Sequence, residues 1–447
     1  MSEAIIAVKG EGAGVSRCII YGNDGGEVDF LNGIYSIHYY EDLLEDCVRA
    51  TIILVDSVGT IKGTTALDGL PIVGQEKVEL TINDNNNNAK SVVLFVNSVK
   101  PYFNDTNRQM ITLDLVSKEY IINEQVRVRT RYDGKISDHI DKILKDVIKT
   151  EKKIDLEQTI NTYNFLGNNK KPFYVCRWLS KKSVPTTGGG LGKTAGFFFY
   201  EVGDTVINGS REEKGFYYKS IDTLMKQEHK VKLMFNTTVD KRGEKVPAGY
   251  DGKVVSYNVE TAGSGNVTER MKLGLYNTKI VTFDPFNCFY KITNQQADDD
   301  SYEKGGKKLP KLNDKDFTFN KGEGNEGPTK TSYFLIDTGS MPTGNTQQQI
   351  QKSQEPNLDY SNVVNYSTMR YNNLFSSKVE MTIPGTFKLS VGDTIFVDSP
   401  KIEDVKNPDV NQQHGGKYLI SRLCHYVDQR NTYTVMDLVR ESVERKA

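Results

Sequence analysis

The chain has 447 residues, and at roughly 150 residues per domain that length gives a prior of about three domains, enough for several separate cores. Lys plus Arg number 57 and Asp plus Glu 58, so the formal net charge of -1 supplies no overall basic field to gather nucleic acid or an anionic membrane. Hydrophobic residues are only 37% of the chain but aromatics reach 10%, a bias toward strands, because Tyr and Phe suit a pleated, half-buried surface.

The N-terminus, MSEAIIAVKGEGAG, carries an acidic residue at position 3 and too short an apolar stretch for a secretory signal. From Arg17 to Glu119 six alternating segments with Gly, Asn and Asp between them read as an antiparallel sandwich or barrel: CIIYG, GIYSIHYY, VRATIILVDS, KVELTIND, VVLFVNSV and MITLDLVS. NDNNNN at 83–88 reads as a hairpin loop, since Asn tolerates left-handed backbone angles. Asp84 is the one carboxylate in that run, too few for a calcium site. From Ser137, the expected N-cap, Ile140, Ile143, Leu144, Val147 and Ile148 fall at helical spacing, which leaves His139 on the solvated face. Pro172 opens a second helix to about Lys182 that holds the lone Trp178, expected in the core. Then come an aromatic strand, GFFFYEV, a segment GFYYKSID, and a short helix that Ser220 caps. The stretches 294–330 and 339–360 are too polar to bury much surface and read as exposed insertions or linkers. The β pattern returns from Ser376 as SSKVEMTIPG, DTIFVDS, GKYLISRLCHYV and TYTVMDLVR.

The two β regions repeat each other. Phe95, Val96, Val99, Tyr102 and Asn107 match Leu419, Ile420, Leu423, Tyr426 and Asn431 at an offset of 324; after a one-residue slip, Asp114-Leu115-Val116 match Asp437-Leu438-Val439. Each copy is a strand, a polar turn and a returning strand ending in DLV, and Val73-Gly74 and Val391-Gly392 precede a strand in each copy. Three chains bearing two such copies present six similar domains around an axis, so a trimer can dock on a six-fold partner.

Motifs for chemistry are weak. TGGGLGKT, Thr187 to Thr194, resembles a phosphate loop with Thr187 for the first Gly, but a helix precedes it and a strand follows, the reverse of the order that aims helix N–H groups at phosphates. The five histidines, His38, His139, His229, His414 and His425, lie in unrelated contexts, and no G-x-S-x-G elbow is present. Cys424 and His425 are strand neighbours and point to opposite faces, so they make no Cys–His pair. The cysteines at 18, 47, 176, 288 and 424 are odd in number and scattered, which reads as free thiols in a reducing compartment. Asp298 to Asp300 sit in a polar linker and read as solvated. No catalytic, cofactor-binding or metal-binding residue is assigned, and no cofactor is expected.

The stretch from Phe375 onward resembles the end of the baseplate central hub protein of contractile-tailed bacteriophages. The matching features are a Pro-Gly turn at Pro384-Gly385, L-x-V-G-D from Leu389 to Asp393, G-K-Y-x-I from Gly416 to Ile420, and a closing segment from Arg440 to Ser442. PFYVCRWLSKKS, AGFFFYEV and GFYYKSIDTL are similar to that family's middle, which places TGGGLGKT in a variable loop. The resemblance implies a fold that is mostly β with an α+β middle: two tail-tube-like antiparallel β-barrel domains plus an α/β domain and insertions. The expected domains are a first barrel at 1–120, an α/β middle at 121–238, an insertion-rich region at 239–365, and a second barrel at 366–447, completed by earlier strands. It further implies a non-enzymatic virion protein of the tail baseplate, assembled in the host cytoplasm. That protein is a homotrimer joining the hexameric tail tube, or a tube initiator, to the trimeric central spike. Other baseplate proteins and the tape measure protein are further partners, and DNA passes through the lumen without specific binding. The alternatives are a secretion-system or contractile-injection-system hub, and a carbohydrate-binding or lytic tail protein.

Overall fold

The computed structural model describes residues 14–442 apart from 58–68, 71, 85, 105–107, 188–191, 236–251, 262–265, 286–287, 298–302, 306–308, 310–329, 338, 340–344, 348–349, 351–356, 400–413 and 429–430. Its first region holds β1 (Gly14–Tyr21), β2 (Glu27–Asp29), β3 (Ile34–Asp42), β4 (Arg49–Ser57), β5 (Lys77–Asn83), β6 (Ala89–Asn104) and β7 (Arg108–Val116). Alternation decides the faces: β5, KVELTIN, buries Val78, Leu80 and Ile82 and turns the residues between them toward solvent. These strands pair antiparallel in the order β2–β1–β5–β6–β7–β4–β3. The Asn-rich hairpin forms as expected, with Asn87 left-handed at φ 58°. Asp84 accepts the Asn86 and Asn88 amides at 2.8 and 2.9 Å and, across the chain, the Phe387 amide at 3.0 Å.

The middle carries β8 (Arg131–Tyr132), β9 (Lys153–Leu156), β10 (Phe165–Leu166), β11 (Phe197–Glu201), β12 (Thr205–Ile207), β13 (Ser210–Glu212) and β14 (Gly215–Ser220). Pro172–Ser180 is the expected helix, and its Phe173 and Cys176 pack on the β9–β14–β11 sheet through Phe199, Phe216 and Tyr218. Ser220 caps the next helix by accepting the Thr223 amide at 3.1 Å. The helix expected from Ser137 differs in phase. It starts at Ile136 after Lys135, and residues Ile143–Ile148 form a π turn. Ser137 therefore lies inside the first turn, its amide held by Thr159 Oγ1 at 3.1 Å. His139 is buried rather than solvated, because Tyr132 and Phe165 close over it and its Nε2 meets the Tyr163 carbonyl at 2.9 Å.

The last third adds β15 (Lys232–Phe235), β16 (Lys253–Val254), β17 (Ser256–Thr261), β18 (Asn277–Asp284), β19 (Phe289–Gln296), β20 (Lys330–Leu335), β21 (Ser377–Pro384), β22 (Thr394–Asp398), β23 (Gly416–Asp428) and β24 (Thr432–Arg440). Residues 294–296 and 330, expected in a loose linker, are strand; most of 298–329 and 340–356 lies outside the described residues.

The two β regions share one register. In β6–β7, Phe95, Val96, Ser98 and Val99 face Val116, Leu115, Asp114 and Leu113; in β23–β24, Leu419, Ile420, Arg422 and Leu423 face Val439, Leu438, Asp437 and Met436. Both hairpins bulge at the same place, between Val96 and Ser98 and between Ile420 and Arg422; β6 alone bulges again between Pro101 and Phe103, so that Phe103 rather than the expected Tyr102 takes the place of Tyr426, while Asn107 lies outside the described residues. β4 and β5 flank the first hairpin as β21 and β22 flank the second. The turns before β5 and β22 also coincide, one place from the expected Val-Gly match. Gln75 at φ 75° and Gly392 at φ 84° donate to the Val96 and Ile420 carbonyls. Glu76 and Asp393 accept the Val73 and Ser390 amides, each at 2.9 Å.

The copies join where β3 pairs antiparallel with β23. Beneath that seam the fully buried Glu41 carboxylate accepts Lys90 Nζ at 3.0 Å, the Tyr39 hydroxyl at 2.8 Å, the Gly203 amide at 3.2 Å and the Val391 amide at 3.0 Å. Lys90 donates in turn to Ser390 Oγ at 2.8 Å. Gly203 is required there: a Cβ would stand 2.1 Å from the Tyr39 hydroxyl. Lys90→Met strands a buried carboxylate, and urea denaturation should register a loss of about 3–5 kcal/mol. Lys90→Met with Glu41→Gln should recover part of it, and wild-type stability of the single variant would show that the seam does not depend on the pair.

Candidate functional site: the polar face of the long sheet

Eight strands run antiparallel in the order β17–β21–β24–β23–β3–β4–β7–β6. One face is core, built on Met381, Met436, Leu423, Tyr39, Ile52 and Leu113. The strand period of two sends the intervening residues to the other face, which is polar. Asn258, Glu380, Asp437, Arg422 and Asp42 occupy successive paired positions across it. So do Tyr433, Tyr426, His38, Thr51, Asp114 and Ser98.

Charge on this face is nearly balanced. Lys100 and Lys378 sit on Asp114 and Asp437 at 2.6 and 3.1 Å, and Arg422 stacks 5.9 Å over the Tyr40 ring beside Asp42. Partial burial pushes Asp114 upward, but hydrogen bonds from Lys100 and Ser98 outweigh it and hold the carboxyl below its ordinary range. Burial raises Asp42, against the Leu44 amide and Arg422. A depression of about 480 Å³ opens here between Tyr40, Asp42, Arg49, Asp114, Tyr120 and Arg422. It exposes both signs of charge side by side, a surface that repels neither cations nor anions strongly.

The residues singled out in the sequence do not converge. Cys424 lies on the polar face and His425 in the core, as strand alternation requires. His425 packs on Phe387 and Tyr39 and meets Thr434 Oγ1 at 3.0 Å. His38 is on the polar face against Tyr426, His229 against Phe396, and His414 near Tyr257. Gly192 to Thr194 follow the helix and lead into β11, with the Ala195 amide returning to the Gly192 carbonyl at 3.0 Å; residues 188–191 and Asp298 to Asp300 lie outside the described residues. Among the described residues, no three His, Cys, Asp or Glu side chains are grouped to hold a metal ion. Trp178 packs at the core edge, as expected.

One cluster escaped the sequence reading. Buried Lys182 lies 4.6, 5.0 and 5.2 Å from the Trp178, Tyr360 and Tyr163 rings, and burial lowers its pKa to about 8 against the pull of Asp337. Tyr163 donates to that carboxylate at 2.6 Å. The members are up to 197 positions apart by residue number, with no local pattern to announce them.

No protein-family model matches the chain, and no curated protein matches it in sequence. Solved structures do. The tail protein from Neisseria meningitidis MC58 aligns with a TM-score of 0.51 at 8% identity, over 96% of this chain and 97% of that one. The 43 kDa tail protein of prophage MuSo2 from Shewanella oneidensis gives 0.48 at 10%, over 95% and 98%. Prophage tail protein gp18 from Listeria monocytogenes EGD-e gives 0.44 at 9%, over 95% and 94%. The Neisseria similarity, along nearly all of both chains, carries the assignment: this chain has the fold of that tail protein, mostly β with a curled half-barrel sheet.

Burial and nearby Lys90 hold His425 well below its ordinary pKa, so the folded chain keeps it neutral. Below pH 6.5 the unfolded chain takes a proton that the folded chain refuses, and stability falls with pH there by up to about 1.4 kcal/mol per unit. In urea titrations at pH 7.5 and 5.5, His425→Gln should lose that much less than wild type; equal losses would show that His425 does not set the acid limb.

Proposed function

We propose that the protein is a structural component of a phage tail: a trimeric baseplate hub that joins the six-fold tail tube to the three-fold central spike and lines part of the DNA conduit. The observation that carries this reading is the repeated register. One chain holds two copies of the same strand arrangement in a single curved sheet, so three chains offer a six-fold tube six equivalent positions while keeping three-fold symmetry for the spike. The polar face suits the lumen, because paired carboxylates beside each cation deny DNA the counterion-releasing contacts that would hold it. The work is architectural rather than enzymatic, and the protein's place is the virion tail, with spike, tube, other baseplate proteins and the tape measure protein as partners.

Light scattering with electron microscopy of the purified protein tests this. A ring with three times the 50.3 kDa chain mass is expected. A monomer at tens of micromolar that binds neither tube nor spike protein would overturn the reading.

A further inference from the structure

The seam between the copies is made once within the chain, yet its two halves are present twice. Asp42 to Ser36 of β3 pair with Arg422 to Asp428 of β23. In the second copy the strand equivalent to β3 is β17: Tyr257, Asn258 and Val259 face Met381, Glu380 and Val379 as Ile37, His38 and Tyr39 face Ile52, Thr51 and Ala50. In the first copy the equivalent of the outer half of β23 is Ser98–Asn104 of β6, fixed by the shared bulge and hairpin register. Among the described residues β17 pairs only with β21, and Ser98–Asn104 only with β7. Each end of the eight-strand sheet thus presents a row of backbone donors and acceptors, and the two rows are related as the two sides of the existing seam. An edge of this kind is a template for another strand.

We propose that β17 of one chain pairs antiparallel with Ser98–Asn104 of a second copy, repeating between chains the seam that β3 and β23 make within one. This rests on the ring reading above and gives it a register. Val259 falls opposite Pro101, where Tyr39 meets His425, and Asn258 opposite Phe103, where His38 meets Tyr426. Tyr102 is the extra residue of the bulge between Pro101 and Phe103.

The two seams are unequal. The Leu43 amide donates to the Ser421 carbonyl at 2.9 Å, and amides alternate along a strand, so Tyr39 and His425 turn their backbone groups toward each other. Pro101 stands in the place of His425, and its nitrogen carries no hydrogen. Proline is tolerated where the N–H side of an edge strand faces outward, at the loss of one donor to any strand added there. The seam between chains is therefore the weaker, and it is where chains join and part.

The full chain carrying Asn258→Cys with Phe103→Cys tests the register, since this pair corresponds to His38 and Tyr426 of the existing seam, a pairing of the kind whose backbone groups point away from each other and whose Cα atoms come closest. Mild oxidation should give a covalent trimer on a non-reducing gel. The single variants, and Asn258→Cys with Asn104→Cys, one position out of register, should give none. Pro101→Val supplies the missing donor and should lower the concentration at which half the chains are trimeric by about threefold to tenfold. Mass is measured separately under reducing conditions. A reduced trimer whose paired cysteines fail to link overturns this pairing and leaves the hub standing. A chain that stays monomeric overturns both, and an unchanged midpoint for Pro101→Val overturns the inequality of the seams.

Discussion

The Glu41 carboxylate is the point on which the rest of the architecture turns. Its four donors come from the first β region, from the middle at Gly203 and from the turn before β22, segments separated by up to 350 positions. A charge with no access to water must be fully paired or the fold pays for it, and Glu41 is paired only when all three segments are in place. Directional contacts of this sort specify arrangement where apolar packing alone would permit sliding. Asp84 makes the same demand, spanning its own hairpin and the Phe387 amide. Two buried carboxylates thus tie the first β region to the turns of the second.

Much of this was legible in the sequence because it is local. Alternating strands, the Asn hairpin, Pro172 opening a helix and Ser220 capping another follow from neighbours within a few positions. The duplication was legible too, since hairpins that must keep one register keep the residues that set it. Among what was not, three cases show why. His139 lies at a helical position that periodicity assigns to solvent, but the π turn and the loop through Tyr163 and Phe165 bring burial to that side. The Val-Gly match fell one place off, because what the turn conserves is a left-handed position followed by a capping carboxylate, filled by Gln75-Glu76 in one copy and Gly392-Asp393 in the other. The third is β15 and β17: KLMF and SYNVET are too short and mixed to read as strands alone, and they become strands because β22 and β21 offer them ladders.

The two copies have diverged unevenly, and the pattern is informative. The strands beside the hairpin keep their order and register, whereas the strand outside β5 is antiparallel β1 and the strand outside β22 is parallel β15. Positions on the continuous sheet are constrained by neighbours on both sides, so a register change in one strand propagates to all. Positions at the periphery have no such constraint, and there the chain has added β12–β13, the β18–β20 sheet and the aromatic box around Lys182.

Near-neutral composition, which at first excluded a nucleic-acid-binding role, has a structural counterpart in the polar face, where acids and bases occur as paired positions rather than as segregated patches. A face of uniform negative charge would destabilise eight adjacent strands through repulsion between directly opposed carboxylates, as Glu380 and Asp437 already are. Placing Lys378 against Asp437, Arg422 beside Asp42 and Lys100 on Asp114 relieves that repulsion within the sheet itself. The arrangement that keeps such a sheet stable is therefore also one that leaves little net field above it, so that stability and near-neutrality of the face follow from the same pairing.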